Sequence, residues 1–207
     1  DLESYNSMGN ADNILPDSTL KKGQAHCVGL SLLFLMMAEK QNLTANLIRT
    51  PGHVFIRACE NRKCVDIEML KNGKVVPEDY YFKTGRMTQK EVENNSYFTP
   101  IKGGKKLKSS IYLSLGYIAS KNNQQKLAEL FYKKSIDADR SFAEGYSNLA
   151  SVYSLMGSFR QSKIYMKTSL AINPHHIPSL LNSAILSWKE KDESKAFKLL
   201  KKAQEIN

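Results

Sequence analysis

Residues 109–142 read SSIYLSLGYIASKNNQQKLAELFYKKSIDADRSF, residues 143–176 read AEGYSNLASVYSLMGSFRQSKIYMKTSLAINPHH, and residues 177–207 read IPSLLNSAILSWKEKDESKAFKLLKKAQEIN. Laid over one another at a spacing of 34 residues, the three segments match in register. Their fourth place holds Tyr112, Tyr146 and Leu180, and their seventh and eighth hold Leu115-Gly116, Leu149-Ala150 and Ser183-Ala184. Small residues recur at Ala128, Ser162 and Ala196, large ones at Tyr132, Met166 and Leu200, and small ones again at Ser135, Ser169 and Ala203. Pro174 closes the second segment, where a helix must stop. An ordinary helical bundle does not explain registered matches across three segments. The second half of the chain is a repeat.

That half resembles the tetratricopeptide repeat (TPR), a pair of antiparallel helices repeated every 34 residues. The small residue at position eight lets helix A lie close to helix B, where another small residue at position twenty faces it. Large residues at positions four, seven and twenty-four fill the space between repeats. The third repeat departs furthest: Ser183 stands where Leu is wanted, and Lys191 where Gly would make the turn. No capping helix follows it, which leaves that end to fray or to meet a partner. The resemblance implies protein or peptide binding on the concave face of the A helices, lined by Leu113, Tyr117, Lys121, Ser147, Ser151, Leu181, Ile185 and Trp188. Asn148 and Asn182 stand near the places of a C-terminal carboxylate clamp, but the matching lysines are missing. A clamp is not expected, and the ligand stays open.

Outward from the repeats, the chain has 207 residues, 42% hydrophobic and 24% charged, enough for a buried core and unlike a disordered chain. Its longest apolar run, Val28 to Ala38, is interrupted by Gly29 and Ser31 and falls short of the roughly 20 residues of a membrane helix. The chain opens on Asp1 rather than Met, which reads as a trimmed or truncated product with any signal peptide upstream. The net charge of +10 is uneven: residues 1–100 carry 12 basic and 12 acidic side chains, residues 101–207 carry 18 and 8. Two units with different tasks are expected, 1–100 with a linker to about 108, and 109–207. The lysines are scattered along helical sequence rather than gathered in a motif, which disfavours nucleic acid. A basic repeat half predicts an acidic protein segment as partner, bound more weakly at high salt.

In the first half, a polar lead-in and a Lys21-Lys22-Gly23-Gln24 loop precede an apolar helix from about Cys27 to Gln41. Short strands follow at Ala45–Arg49, His53–Cys59 and Cys64–Met69, punctuated by Pro51-Gly52 and by Glu60-Asn61-Arg62-Lys63. From Lys71 to Lys108, scattered Gly, Pro and Asn read as loops with a short helix near Thr88–Asn94. Cys27 opens the helix, where the partial positive charge of the N-terminus favours a thiolate. His53 opens a strand directly after Pro-Gly, so the turn aims its ring out of the sheet edge. Asp66 and Glu68 lie on the next strand, able to orient that ring. Nucleophile, base and orienting carboxylate make a catalytic triad.

The order and surroundings resemble the transglutaminase-like superfamily. The matching text is Gly23-Gln24-Ala25-His26-Cys27-Val28-Gly29-Leu30-Ser31-Leu32-Leu33, then Pro51-Gly52-His53-Val54-Phe55-Ile56-Arg57, then Val65-Asp66-Ile67-Glu68. More narrowly, the chain is similar to bacterial transglutaminase-like proteins with a TPR tail. The resemblance implies an α+β, papain-like fold, a helix packed on a small antiparallel sheet, followed by an all-α TPR solenoid. It also implies a cysteine enzyme acting on protein or peptide amide bonds, by hydrolysis or acyl transfer, with no metal or organic cofactor. Cys27 would attack, His53 take its proton, and backbone N–H groups with Gln24 hold the oxyanion. His26 points about 100° away from its neighbour on the helix and is not expected to serve as base. His175 and His176, after Pro174, read as solvated. The competing reading is a non-catalytic TPR adaptor with a degenerate first domain.

The register of the last two strands decides two further points. A two-residue turn at Asn61-Arg62 pairs Glu60 with Lys63, Cys59 with Cys64 and Arg57 with Asp66. Arg62 is a poor residue for such a turn. Cys59 and Cys64 lack a second pair at zinc spacing, so they read as a disulfide or as free thiols. An oxidised pair means an exported protein and a reduced pair a cytoplasmic one. In this register Glu68 is the diagonal neighbour of His53, while Asp66 already faces Arg57. An ungapped match from His53 also puts the family's aspartate at Glu68, but Val65-Asp66 reads like its hydrophobic-Asp motif. Both carboxylates stand, and the resemblance favours Asp66.

Overall fold

The structure, a computed structural model, describes residues 27–50, 53–61, 63–83, 92, 98, 100–101 and 104–206. The apolar run forms helix α1, Cys27–Lys40. It ends because Asn42 turns into the left-handed conformation at φ 55°, which lets the Leu43 N–H reach back to the Ala38 carbonyl at 2.9 Å. Strands β1 (Thr44–Thr50), β2 (His53–Glu60), β3 (Lys63–Glu68) and β4 (Lys74–Val76) follow as an antiparallel meander in the order of the chain. The β2–β3 register is Glu60 with Lys63, Cys59 with Cys64 and Arg57 with Asp66, as a two-residue turn requires. Asn61 takes φ 48° to make it, a conformation Asn tolerates. The outer edge of β1 is covered: Phe98 and Ile101 donate backbone N–H bonds to Arg49 and Leu47.

Two elements were not expected. Strand β4 is only three residues and leaves no readable alternation, and helix α2, Tyr80–Lys83, is a single turn. The short helix expected near Thr88–Asn94 lies almost wholly outside the described residues.

Three helix hairpins complete the chain: α3 (Gly104–Lys121) with α4 (Gln125–Ala138), α5 (Ala143–Leu155) with α6 (Phe159–Ile172), and α7 (Ile177–Lys189) with α8 (Glu193–Ile206). The first helix starts five residues before position 109. Within each hairpin the turn is made at an equivalent residue in the left-handed region, Asn123 (φ 59°), Gly157 (φ 75°) and Lys191 (φ 63°). Lys191 bears a cost of about 1 kcal/mol there that Gly157 avoids. The small residues at position twenty, Ala128, Ser162 and Ala196, are all buried. At position eight the close partner is larger than expected: a Cβ on Gly116 would stand 2.6 Å from the Tyr132 ring, so only glycine fits. Position twenty-seven adds polar glue, with Ser135 Oγ donating to the Ser109 carbonyl and Ser169 Oγ to the Ala143 carbonyl. Leu200, the third copy of position twenty-four, is 43% exposed, with no hairpin packed on it among the described residues.

The two halves share one core. Val28 of α1 and Leu47, Val54 and Ile56 of the sheet pack in one cluster with Leu115, Ile118, Phe131 and Leu149 of the first hairpins. Ile48, Phe55, Val76 and Tyr81 pack with Phe142 in a second. Arg49 stitches the halves together, donating from Nε and Nη2 to Ser110 Oγ at 3.2 and 2.7 Å and from Nη2 to the Lys106 carbonyl at 3.0 Å. Its guanidinium carbon lies 3.7 Å over the Phe142 ring and its Nη1 is 3.6 Å from Asp139 Oδ2.

Cys59 and Cys64 form a disulfide, with Cα atoms 4.1 Å apart. Closing so short a loop restrains the unfolded chain by about 2 kcal/mol. Intact-mass analysis after alkylation without reductant should show one modified cysteine, Cys27. After reduction it should show three. Three adducts without reductant would mean the pair is open.

The expectation that His176 is solvated is wrong. It is 1% exposed, caps α7, and its Nδ1 lies 2.7 Å from Ser179 Oγ, which in turn meets Ser169 Oγ at 2.7 Å. Proline before it suggested an open turn, but the ring turns inward onto Ser179 of α7. Burial pushes its pKa down to about 4. The folded state therefore holds His176 neutral while the unfolded chain binds a proton below about 6.5. Stability present above pH 6.5 is lost as the pH falls towards 4, by up to about 3 kcal/mol. Thermal melts between pH 7 and 4.5 should show this loss, and it should shrink in His176→Gln. A variant with the same acid sensitivity as the wild type would assign the loss to other groups.

Candidate active site

His53 is the first residue of β2 and pairs with Thr50 across the β1–β2 turn. Its ring is not aimed out of an edge: β2 is an inner strand and His53 is only 5% exposed. Its Nε2 lies 2.8 Å from Glu68 Oε2, at the end of β3. Glu68 is in turn fixed by two donors, the Leu70 N–H to Oε1 at 3.0 Å and the Tyr81 hydroxyl to Oε2 at 3.1 Å. The first bond exists because the chain turns into a short 3₁₀ segment, Met69–Lys71, with Glu68 as its cap. The second comes from α2, which buries Tyr81 completely and stacks its ring on Phe55 at 4.3 Å.

Asp66 stands elsewhere. Both its oxygens accept from Arg57, Nε to Oδ1 at 2.7 Å and Nη2 to Oδ2 at 2.8 Å. The preference for Asp66 as the orienting carboxylate is therefore corrected. The hairpin register pairs it with Arg57, and the diagonal neighbour of His53 meets the imidazole instead. Tyr81 was missed from the sequence, since nothing marks one aromatic in a four-residue helix as a partner of a residue thirteen positions earlier.

His53 also hydrogen-bonds Cys27, the first residue of α1 and a free thiol. Burial alone would push the His53 pKa down. Hydrogen bonding to the Cys27 sulfur and to Glu68, with the charge of each, outweighs burial and raises it to about 9. Burial alone would likewise raise the Glu68 carboxyl. The His53 bond and charge, the Leu70 N–H and the Tyr81 hydroxyl outweigh it and hold the carboxylate below its ordinary range. Burial, then the Glu68 charge and hydrogen bond, push the Tyr81 phenol up, so it stays a donor. At neutral pH His53 is thus held in its protonated form.

Cys27 and His53 open on a cavity of about 420 Å³ that also reaches Arg49, Thr50, Leu70 and the first two hairpins. Gln24, the expected oxyanion residue, and His26 lie outside the described residues. Among the described residues no group of three or more His, Cys, Asp or Glu is placed to hold a metal ion.

A model of the transglutaminase-like superfamily matches residues 4–107, half of the chain. The chain belongs to the transglutaminase-like superfamily. Tetratricopeptide repeat models match residues 109–142 and 143–176 directly behind that domain. The third hairpin has the same helix arrangement without such a match. A search of the curated proteins finds no match. Among solved structures the chain is similar to MamA, at 21% identity over 47% of this chain and 57% of that one, with a TM-score of 0.45. It is also similar to the Arabidopsis OM64 TPR domain, at 19% identity, 50% and 86% coverage and a TM-score of 0.48. The TPR2B domain of yeast Sti1, in its pHsp70 complex, gives 20% identity, 47% and 78% coverage and a TM-score of 0.45. By its family matches, this superfamily member joins a transglutaminase-like domain to TPR repeats, a module of protein–protein interaction.

Of the residues expected on the concave face, Tyr117, Lys121, Leu181, Ile185 and Trp188 are exposed and Ser151 is half-buried. Ser147 is 1% exposed and belongs to the helix packing instead. No helix of the described residues is long and apolar enough to cross a membrane.

Proposed function

We propose that the protein is a cysteine enzyme acting on amide bonds of proteins or peptides, by hydrolysis or by acyl transfer to an amine. The observation that carries this reading is the chain Cys27–His53–Glu68 at the wall of a cavity, on a transglutaminase-like domain. The Cys27 sulfur attacks the amide carbonyl, and backbone N–H groups at the start of α1 face the oxygen as it gains charge. His53 gives its proton to the leaving nitrogen, which departs as ammonia or an amine and leaves a thioester on Cys27. Water or an amine then attacks the thioester, His53 takes up a proton, and Cys27 is freed. Glu68 fixes the ring and balances its charge throughout. The basic repeats favour an acidic protein segment as substrate or partner, and the disulfide favours an oxidising compartment.

The test supplies a glutamine-containing peptide with and without a fluorescent primary amine. Ammonia release or amine incorporation by the wild type, lost in Cys27→Ala, is the expected result, and the second readout separates transfer from hydrolysis. Equal turnover by wild type and variant, or none by either across peptides of varied sequence, would leave the adaptor reading in its place.

A further inference from the structure

The cavity at Cys27 is only half built by the transglutaminase-like domain. Its far wall is made by the inner helices of the first two hairpins, Ser110, Ser114 and Tyr117 on α3 and Glu144 and Asn148 on α5. Ser110 and Glu144 are 34 residues apart, as are Ser114 and Asn148. The wall is therefore the same repeat positions presented twice, on the face where a TPR stack presents its A helices. The inner face and the active-site cleft are one space.

We propose that this space takes an extended segment of a protein substrate, lying along α3 and α5 so that one of its amides meets Cys27. The repeats are then the specificity wall of the active site rather than a separate recruiting arm. The inference rests on the catalytic reading of Cys27. Asn148 is half-buried, and its carboxamide offers a donor and an acceptor together, the complement of a peptide unit. Its equivalent in the third hairpin, Asn182, donates to Ser151 Oγ at 3.1 Å and so is engaged in holding α7 to α5. At the outer end Tyr117 is 53% exposed with Lys121 Nζ 5.5 Å from its ring centroid, an apolar face beside a positive charge. Beyond it the A-helix face continues with Ile185 and Trp188, 54% and 56% exposed. A small metabolite would use the cavity but not this continuation, whereas an extended acidic segment uses both.

The probe is a chloroacetamide group, alone or carried on an acidic ten-residue peptide; in both, the Cys27 sulfur displaces chloride and forms a thioether. The measured quantity is the ratio of the Cys27 alkylation rates, peptide-borne over free. The wild type is expected to give a ratio of about ten or more, lower with a basic peptide of the same length. Asn148→Ala and Tyr117→Ala should each bring the ratio towards one. A wild-type ratio near one, or a ratio kept at the wild-type value in either variant, overturns the proposal. Dependence of the free-reagent rate on His53 reports separately on the catalytic reading, so the two can fail independently.

Discussion

Glu68→Gln should lower turnover by about 10³-fold, while Asp66→Asn should leave it within about threefold. The first change keeps the volume of the side chain but removes the carboxylate charge that balances the His53 imidazolium at 2.8 Å. Loss of an orienting carboxylate leaves the ring free to present the wrong tautomer, and losses of this order follow elsewhere. The second change touches only the pair with Arg57, whose side chain is 21% exposed. Its cost falls on stability, about 1–2 kcal/mol for a half-buried guanidinium that loses its bidentate carboxylate. NMR titration of the His53 ring gives a parallel reading. The wild-type midpoint near 9 should fall in Glu68→Gln, because one of the two groups that raise it is gone. If Asp66→Asn costs the activity and Glu68→Gln spares it, the site is organised around the other carboxylate.

Arg49→Ala should be the most destabilising single change at the junction of the halves, by about 3 kcal/mol, a Tm drop of roughly 6–12 °C for a chain of this size. The side chain is 4% exposed and its donors and ring contact span β1, α3 and the approach to α5. Removing it takes two donors from Ser110 Oγ and opens a void beside Phe142, while the Lys106 carbonyl keeps the Ser110 hydroxyl as donor. Asp139 suffers less, since its Oδ1 still accepts from the Ser141 N–H and hydroxyl. Arg49→Lys should recover only part of the loss, because an ammonium cannot serve Ser110 and Lys106 in one plane while lying on the ring. Since Arg49 also lines the cavity, the Cys27 alkylation rate should fall with the stability. A melt unchanged in Arg49→Ala would mean that the shared core alone holds the halves together.

The repeats were legible because each hairpin sets the same packing demands as the one before. Small residues return where helices touch, and large ones where hairpins touch, at a fixed spacing. The candidate site was read by a different route. Cys27 and His53 stand at the first residues of a helix and a strand, where sequence punctuation is strongest. Choosing the carboxylate depended on counting register across the Asn61-Arg62 turn. That count pointed to Glu68, and the motif-like Val65-Asp66 pulled the other way. Tyr81 and Arg49 left no such trace. Their partners are distant in sequence, and only the folded chain brings a one-turn helix under β3 or an arginine of β1 against the first hairpin. His176 misled for a related reason: a turn after proline looks solvated until the folded chain turns the ring inward.

The central claim is that Cys27 is a nucleophile activated by His53. The most direct measurement is peptide mapping after a brief exposure to p-nitrophenyl acetate, whose phenolate leaves as the sulfur takes the acetyl group. An acetyl thioester on Cys27 in the wild type, absent in His53→Ala although Cys27 is still present, is the predicted result. No adduct on Cys27 in the wild type, or an equal adduct in His53→Ala, would contradict it.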